Sequence, residues 1–254
     1  MRLAGRSVLI TGGRRVGRSL ALMLMERGMN VAMTFKSSRA VIESTVSEAA
    51  RLGASATAIE ADLSAPANAE AAVDRTIEAF GRIDVLVNMA SVYRRTPFME
   101  LVPGDFDEMI AANLAGPYHA AVAAGRRMLA QEPGEEGVRG KIVNVGDWAV
   151  ERPYRNFLPY LVAKGGLSTL TLALAKELSP GVLVNAVLPA MVEAPEGLTE
   201  ERRRAVLAET PVGRSGVASD VNNLILYLLE GTDFATGGIF RVDGGRFLGN
   251  DSPN

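Results

Sequence analysis

The sequence predicts an α/β protein with a single doubly wound parallel sheet of about seven strands and helices on both faces. Short β-type runs and longer helical segments alternate six times along the 254 residues. Most of the β-type runs are continuous stretches of Val, Ile, Leu and Ala, as expected for strands that are buried on both faces. Since no linker, low-complexity block or internal repeat divides the chain, we expect one domain over residues 1–254.

Each predicted strand is a short apolar run next to a turn or a helical segment. The predicted strands are Ser7–Ile10, Asn30–Phe35, Ser55–Glu60, Val85–Met89, Lys141–Val145, Val182–Leu188 and Ile239–Val242. Apolar residues at helical spacing predict helices between them, for example at Arg18–Gly28, Arg39–Leu52 and Asn68–Phe80. This order of elements is typical of parallel strands joined by helical crossovers.

Two stretches interrupt the alternation. Gln131–Gly140 is polar and contains Gly and Pro, which predicts a surface loop before the fifth strand. Ala190–Gly216 follows the sixth strand and surrounds a short charged helix at Glu200–Glu209. Because ligands of doubly wound sheets bind beyond the carboxyl ends of the strands, we expect residues 190–216 to form a lid over a substrate.

The composition excludes several kinds of chemistry. The chain has no cysteine, which excludes disulfides, a thiolate nucleophile and cysteine-based metal sites. Its single histidine, His119, excludes a multi-histidine metal site, so we expect no metal. His119 lies beside Ala120 and Ala121 in a helical segment, which favours a structural or interface role over a catalytic one.

The charge and hydropathy patterns restrict the partners and the location. A formal net charge of −2 gives no broad basic surface for nucleic acid. The first ten residues lack the apolar region of a signal peptide, and no apolar run approaches the roughly 18 residues of a membrane span. We therefore expect a cytoplasmic protein without a membrane or nucleic-acid partner.

A glycine-rich turn follows the first predicted strand and leads into a helix. Its residues are Thr11, Gly12, Gly13, Arg14, Arg15, Val16 and Gly17. Glycines let the backbone approach a pyrophosphate, and the free amides and dipole of a helix N-terminus favour its charge. An ordinary tight turn is the alternative interpretation, but the position after the first strand favours a Rossmann-type dinucleotide site.

The end of the second strand indicates which dinucleotide binds. Sites specific for NAD place an acidic residue there, facing the ribose 2′-hydroxyl. Here the strand continues into Lys36, Ser37, Ser38 and Arg39, and we expect no acid in reach of these cations. These cations, with Arg14 and Arg15 nearby, favour a 2′-phosphate and therefore NADP(H). The alternative is that they are solvated surface cations.

Further motifs follow the later strands in an order that resembles one family. They are Asp62-Leu63 after the third strand, Asn88-Met89-Ala90-Ser91 after the fourth, Asn113 in the next helix, Tyr160-x-x-x-Lys164 after the fifth, Pro189 after the sixth, and Asp243-Gly244-Gly245 near the end. With the Thr11-Gly12 turn, this set resembles the short-chain dehydrogenase/reductase family over nearly the whole chain.

The resemblance implies a role for each motif. Tyr160 would donate or accept a proton, while Lys164 would lower its pKa and hold the nicotinamide ribose. Asn113 would support a proton-relay water, and Asp62 would contact adenine. The residues implied in cofactor binding are Thr11, Gly12, Gly13, Arg14, Arg15, Val16, Gly17, Lys36, Ser37, Ser38, Asp62, Leu63, Asn88, Ala90, Tyr160, Lys164 and Pro189. A homo-oligomer, a dimer or a tetramer, is also expected by resemblance.

One departure from the family pattern points to a subgroup. Most members have Ser thirteen residues before the Tyr, but the residue thirteen before Tyr160 is Asp147. Asp at this position resembles the pteridine and dihydromonapterin reductases. In that subgroup an aromatic side chain stacks on the pterin, and Arg and Ser bind it. The implied substrate residues are therefore Arg15, Ser91, Tyr93, Asp147 and Tyr160.

Three features leave alternatives open within that subgroup. The glycine turn is one residue shorter than the subgroup's, so Arg14 and Arg15 could exchange roles. Met89 replaces the usual second Asn. Tyr93 could also be an exposed loop aromatic without a function.

Electrostatics predicts the proton chemistry. An ammonium about 4 Å from a phenol contributes roughly 4 kcal/mol at an effective dielectric constant of 20, or about three pKa units. On this basis we expect Lys164 to bring the pKa of Tyr160 near 7. Asp147 would oppose that shift, and we expect Asp147 to be partly protonated and to join the proton relay.

Together these observations predict an NADPH-dependent pteridine reductase. Hydride would pass to a dihydropterin- or dihydrofolate-like C=N bond, and Tyr160 would donate the proton. A generic carbonyl reductase acting on ketones or 3-oxoacyl chains is the first alternative, although it lacks the usual Ser. A non-catalytic NADP(H)-binding sensor is the second, although it has no need of Asn113, Tyr160 and Lys164.

Overall fold

A parallel sheet is the centre of the computed structural model, which describes residues 1–192 and 199–249. Within these residues, seven strands lie in the order β3-β2-β1-β4-β5-β6-β7. They are β1 (Ser7–Thr11), β2 (Asn30–Phe35), β3 (Ala56–Glu60), β4 (Val85–Asn88), β5 (Gly140–Val145), β6 (Val182–Pro189) and β7 (Ile239–Val242). The predicted fold class is confirmed, and each described strand lies within one residue of its predicted bounds.

Helices connect the strands and cover both faces of the sheet. They are α1 (Val16–Met25), α2 (Arg39–Ser47), α3 (Pro66–Phe80), α4 (Pro103–Ile110), α5 (Gly116–Ala130), α6 (Leu158–Leu178), α7 (Glu200–Ala208) and α8 (Ala218–Leu226). A π-helical segment at Ala111–Ala115 joins α4 to α5. Single π-helical turns inside helices are frequent at functional sites.

Helix boundaries differ from the predictions where local geometry decides. The segment predicted as one helix over Arg39–Leu52 ends its α-helical part at Ser47 and continues as a 3-10 turn at Ala49–Leu52. Helix α3 begins at Pro66, because a proline in the first helical turn loses no hydrogen bond. It ends before Gly81, whose φ of +80° suits a residue that terminates a helix.

Two apolar layers hold the helices against the sheet. Successive strand residues point to opposite faces, so Val8 and Ile10 join the layer under α1 and α8. Leu9 lies between them and joins the opposite layer, under α3 and α5. Burial on both faces explains the continuous apolar runs in the sequence.

Helix α6 is 21 residues long and, by length and composition alone, apolar enough to cross a membrane. The prediction that no apolar run approaches that length overlooked it. Helix α6 packs against β5, β6 and α4, and buried core helices of α/β proteins pass the same test. Its composition therefore supports no membrane assignment.

The predicted lid is described in part. Residues 193–198 lie outside the described residues, whereas α7 matches the charged helix predicted at Glu200–Glu209. Val192 and Gly216 form an isolated β-bridge, so the two ends of the segment meet beyond β6. Closure of this segment over a substrate remains a prediction.

Candidate active site

The glycine turn after β1 is tightly packed against its neighbours. Gly13 has a φ of +97°, and a Cβ built on it would lie 2.7 Å from the Gly17 Cα. A Cβ on Gly12, with a φ of +65°, would lie 2.9 Å from the Ala90 Cα. Only glycine fits both positions, and the resulting turn presents backbone at the N-terminus of α1, as a pyrophosphate site requires.

A cleft of about 880 Å³ opens where the strand order reverses, between β1 and β4. The structure brings most of the predicted cofactor residues to its wall: Gly12, Gly13, Arg14, Arg15, Val16, Gly17, Lys36, Ser37, Ser38, Asp62, Leu63, Ala90 and Pro189. Ser91 lines the same cleft. Both Arg14 and Arg15 face it, so the structure leaves open which of them takes which role.

Two other predicted cofactor residues form structural bonds beside the cleft. The Thr11 Oγ1 accepts hydrogen bonds from the backbone N–H groups of Met89 at 3.0 Å and Ala90 at 3.2 Å. The Asn88 Nδ2 donates to the Asn144 Oδ1 at 2.9 Å and to the Pro117 carbonyl at 3.2 Å. Thr11 thus ties the end of β1 to the residues after β4, and Asn88 ties β4 to β5.

The charges at the adenine end of the cleft are paired. The Lys36 Nζ lies 2.5 Å from the Asp62 Oδ2. Its hydrogen bond, helped by one from Ser64, lowers the pKa of Asp62 to about 2. Arg39 likewise pairs with Glu43 and Glu60. The expectation that these cations face no acid is wrong, because β3 lies beside β2 and brings Asp62 next to Lys36.

Asp147 is placed against Tyr160 by the turn after β5. The Asp147 Oδ1 accepts a hydrogen bond from the Ala149 N–H at 2.8 Å and caps the following 3-10 turn. The Tyr160 hydroxyl donates to the Asp147 Oδ2 at 2.8 Å. Burial raises the pKa of Asp147, although hydrogen bonds from Ala149 and Tyr160 oppose the shift. Partial protonation of Asp147 remains a prediction.

The pKa of Tyr160 is raised in this structure rather than lowered toward 7. Burial raises the pKa of Tyr160 well above its ordinary value of 10, and the charge of Asp147 raises it further. The Lys164 Nζ donates to the Val145 carbonyl at 2.8 Å and lies 6.0 Å from the centre of the Tyr160 ring. Burial also lowers the pKa of Lys164 itself to about 8. The expected pKa near 7 is therefore wrong, because burial and Asp147 outweigh a distant ammonium.

Asn113 joins the cleft to the π-helical segment. Its fully buried side chain donates to the carbonyls of Val92 and Met109, at 3.0 and 3.2 Å. Its Oδ1 accepts from the Ser91 hydroxyl at 2.7 Å and from the Val92 N–H at 3.2 Å. Asn113 therefore positions Ser91, and a hydrogen bond with Ser91 is one influence that lowers the pKa of Tyr160. The relay water predicted at Asn113 remains a prediction.

Aromatic side chains enclose the Tyr160 hydroxyl. Tyr93 stacks on Phe157 with ring centres 4.6 Å apart and meets Tyr160 edge-on at 5.0 Å. Although Tyr93 is 54% exposed, it is part of this cluster rather than an isolated loop residue. Tyr154 meets Phe157 edge-on at 5.1 Å. Sequence analysis missed Phe157 and Tyr154, whose one signal is their position between Asp147 and Tyr160.

Possible metal ligands and His119 can both be located in the described residues. Among residues 1–192 and 199–249, no group of three or more His, Asp or Glu side chains could hold a metal ion. The His119 Nδ1 lies 3.3 Å from the Leu63 carbonyl, which agrees with a structural role in α5.

The Asp243-Gly244-Gly245 motif lies beside the residues that follow α7. The Asp243 carboxylate accepts hydrogen bonds from the N–H groups of Gly245 at 3.0 Å and Phe247 at 2.9 Å. A Cβ on Gly244, with a φ of +62°, would lie 2.9 Å from the Thr210 Cγ2. The motif therefore holds the turn after β7 close to the segment that follows α7.

The fold and this cleft define a dinucleotide-binding oxidoreductase. A family model described as Enoyl-(Acyl carrier protein) reductase matches residues 13–246. The chain belongs to the short-chain dehydrogenase/reductase family, as the motifs predict.

Relatives cover almost the whole chain. The 3-oxoacyl-[acyl-carrier-protein] reductase FabG of Staphylococcus aureus is 32% identical over 250 residues, 96% of this chain and 98% of the relative. The (2S)-[(R)-hydroxy(phenyl)methyl]succinyl-CoA dehydrogenase subunit BbsD of Thauera aromatica is 33% identical over 253 residues, 98% of this chain and 99% of the relative. These names favour the carbonyl alternative over the pteridine subgroup.

Solved structures agree in fold. A putative short-chain alcohol dehydrogenase from Sinorhizobium meliloti has a TM-score of 0.89 at 27% identity and covers 97% of this chain and 98% of its own. The acetoin dehydrogenase YohF of Salmonella typhimurium has a TM-score of 0.84 at 29% identity and covers 96% of this chain and 98% of its own.

Proposed function

We propose that this oxidoreductase uses NADPH to reduce a polar double bond and that Tyr160 protonates the atom next to the carbon that receives the hydride. The observation that carries the proposal is the 2.8 Å hydrogen bond between the Tyr160 hydroxyl and the buried Asp147 carboxyl group. A buried acid with a raised pKa can replace the proton that Tyr160 gives up. Bound NADPH would supply the hydride.

The glycine turn and the residues after β2 support the choice of cofactor. Gly12 and Gly13 have positive φ and no room for a Cβ, and they leave backbone on the cleft wall that a pyrophosphate could approach. Lys36, Ser37 and Ser38 line the part of the cleft where a 2′-phosphate would bind. The phosphate would then compete with Asp62 for Lys36.

For the acceptor we place a carbonyl compound first, a ketone or a 3-oxoacyl chain. The activities named for relatives that are 32–33% identical over nearly the full chain support this class. Position 147 lacks the usual polarising Ser, but the Ser91 hydroxyl, held by Asn113 at 2.7 Å, lies on the cleft wall near Tyr160. Its O–H would turn from the Asn113 Oδ1 to the carbonyl oxygen beside Tyr160.

A pteridine C=N bond is the second candidate, which a specific observation favours. A carboxyl group 2.8 Å from the Tyr160 hydroxyl, with its pKa raised by burial, suits a reaction that ends in protonation of a ring nitrogen. The exposed Tyr93 meets Tyr160 edge-on and offers an aromatic surface. Asp147 beside Tyr160, and Ser91 and Arg15 on the cleft wall, offer polar partners for a flat heterocycle. Dihydropterins and dihydrofolate are the compounds that fit.

An NADPH oxidation assay under anaerobic conditions tests both candidates. The acceptors are dihydrobiopterin, dihydromonapterin, dihydrofolate, quinonoid dihydropterin, a 3-oxoacyl thioester and simple ketones. Turnover confined to the carbonyl compounds supports the first candidate, and turnover confined to the pterins or folate supports the second. Tight NADPH binding without any turnover would contradict both and favour the non-catalytic sensor.

We also infer a cytoplasmic homo-oligomer, a dimer or a tetramer. Light scattering coupled to size-exclusion chromatography measures the oligomeric state directly, and a monomeric mass would contradict this part of the proposal.

A further inference from the structure

Tyr154 lies beside the carboxyl group that contacts Tyr160. Its hydroxyl is 3.5 Å from the Asp147 Oδ2, the same oxygen that accepts a hydrogen bond from Tyr160 at 2.8 Å. The other oxygen, Oδ1, accepts from the Ala149 N–H at 2.8 Å. The Asp147 carboxyl group is therefore surrounded by three donors, and two of them are tyrosine hydroxyls.

The Tyr154 ring is held in place by other aromatic rings. It meets Phe157 edge-on at 5.1 Å and lies 6.4 Å from Trp148. Phe157 is in turn stacked on Tyr93. These contacts restrict the ring, so its hydroxyl stays near Asp147 at little further cost in conformational entropy.

We propose that Tyr154 is a positioning residue, which keeps the Asp147 Oδ2 against the Tyr160 hydroxyl and stabilises the carboxylate that remains after Asp147 has delivered its proton. The inference rests on the proposed role of Tyr160 as proton donor. It does not depend on whether the acceptor is a C=O or a C=N bond.

The proton transfers balance as follows. The Tyr160 O–H bond breaks as the acceptor oxygen or nitrogen gains a proton, which leaves a phenolate. When Asp147 carries its proton on Oδ2, the hydrogen bond with Tyr160 is reversed and Oδ2 donates to the phenol oxygen. This proton passes to the phenolate oxygen, and the O–H bond of Tyr160 forms again. The negative charge now lies on Asp147, where the N–H of Ala149 and the hydroxyl of Tyr154 donate to it. Solvent later returns one proton to Asp147.

The charged and titratable groups around Asp147 agree with this role. Helix α6 contributes Tyr160 and Lys164, and the loop after β4 contributes Tyr93. Burial and the charge of Asp147 raise the pKa of Tyr154, and a hydrogen bond with Tyr93 raises it further. Tyr154 therefore keeps its proton near neutral pH and acts as a donor to Asp147.

The test compares Tyr154→Phe with Tyr227→Phe, a control at a 54% exposed tyrosine in the segment after α8. Tyr154→Phe keeps the ring contacts and removes only the hydroxyl. We expect kcat to fall about tenfold with the best acceptor of the NADPH assay, while the KM for NADPH is unchanged. The activity should also persist to higher pH, because the pKa of Asp147 rises when it loses a donor. The control should behave as the unmodified protein.

A double-mutant cycle with Asp147→Asn shows whether Tyr154 acts through Asp147. We expect Tyr154→Phe to change kcat less than twofold in the Asp147→Asn background. Equal effects in both backgrounds would overturn the inference, as would an unchanged kcat and pH profile in Tyr154→Phe alone.

A second measurement is independent of turnover. Infrared titration of the Asp147 carboxyl group, assigned with Asp147→Asn, should give a higher pKa in Tyr154→Phe than in the unmodified protein. An equal or lower pKa would overturn the inference. If Tyr160→Phe keeps full activity, the proposed function fails; if it is inactive and Tyr154→Phe is normal, only the role of Tyr154 fails.

Discussion

The nucleotide end, which is the cleft beside the glycine turn, and the catalytic end, which is the cluster around Tyr160, contain different chemical groups. At the nucleotide end, the glycine turn is packed so closely that a Cβ added to Gly12 or Gly13 would lie within 3 Å of a neighbouring Cα. Exposed ion pairs lie at the same end. The catalytic end consists of a buried carboxyl group, two tyrosine hydroxyls and an aromatic cluster. We propose that the first binds an anionic cofactor through partly exposed backbone and that the second controls a proton in an apolar surrounding.

Two aspartates show the physical difference between the ends. An exposed ion pair with Lys36 lowers the pKa of Asp62 to about 2. Burial raises the pKa of Asp147. The same side chain is therefore a permanent anion at one end and a candidate proton carrier at the other, because solvent and a cation surround the first and aromatic rings surround the second.

The largest expected effect is at the catalytic end. Tyr160→Phe removes the proposed proton donor and should lower kcat by about 10²–10⁴-fold. NADPH binding, measured by the fluorescence of the bound nicotinamide, should stay nearly intact because the ring remains in α6. Activity close to that of the unmodified protein would contradict the role of Tyr160 as the proton donor of the catalytic end.

The next effect shows whether Asp147 acts by carrying a proton or only by filling its position. A group whose pKa is raised by burial is protonated below that pKa and loses the proton as pH rises through it. We therefore expect activity to be higher on the acid side, and we expect Asp147→Asn to remove this dependence and lower kcat by about 10²-fold. A pH profile unchanged in Asp147→Ser would contradict the role, since Ser cannot titrate in this range.

A smaller effect is expected at the glycine turn. Gly13→Ala places a Cβ 2.7 Å from the Gly17 Cα at a φ of +97°. We expect a loss of about 1–3 kcal/mol in the free energy of unfolding and at least tenfold weaker NADPH binding. Gly53→Ala is the matched control, since Gly53 has a φ of +68° and nothing within 4 Å of its Cβ position. Equal binding by both variants would argue against the close packing of the turn.

The smallest effect concerns the choice of cofactor. Lys36→Ala should weaken NADPH binding several-fold and leave NADH binding unchanged. Its stability should change by less than about 1 kcal/mol, because the two side chains of the Lys36–Asp62 pair are 72% and 39% exposed. The measurement is the ratio of KM values. A tenfold preference of the unmodified protein for NADH would contradict the assignment of NADP(H).

Local sequence was sufficient for the strands and for the glycine turn. A strand buried on both faces needs a continuous apolar run, and a turn with positive φ needs glycine, so both features depend on a few adjacent residues. The contact between Tyr160 and Asp147 also agrees with the thirteen-residue spacing of the family motif. The turn after β5 and the start of α6 are close in the chain, so this spacing depends on one short segment.

Contacts between distant segments were beyond prediction. The pairing of Lys36 with Asp62 depends on β3 lying next to β2, and the stack of Tyr93 on Phe157 joins the loops after β4 and β5. The position of Tyr154 near Asp147 follows from the same packing. No local spacing distinguishes these pairs from surface residues.

The sequence by itself determined the sheet, the glycine turn and the residue types available for chemistry, with no cysteine and one histidine among them. Only the tertiary structure decided which charges are paired and which proton-carrying groups are buried. The reason is physical: apolar periodicity and backbone geometry are local properties, whereas a pKa depends on the solvent and charges that folding brings within a few ångströms.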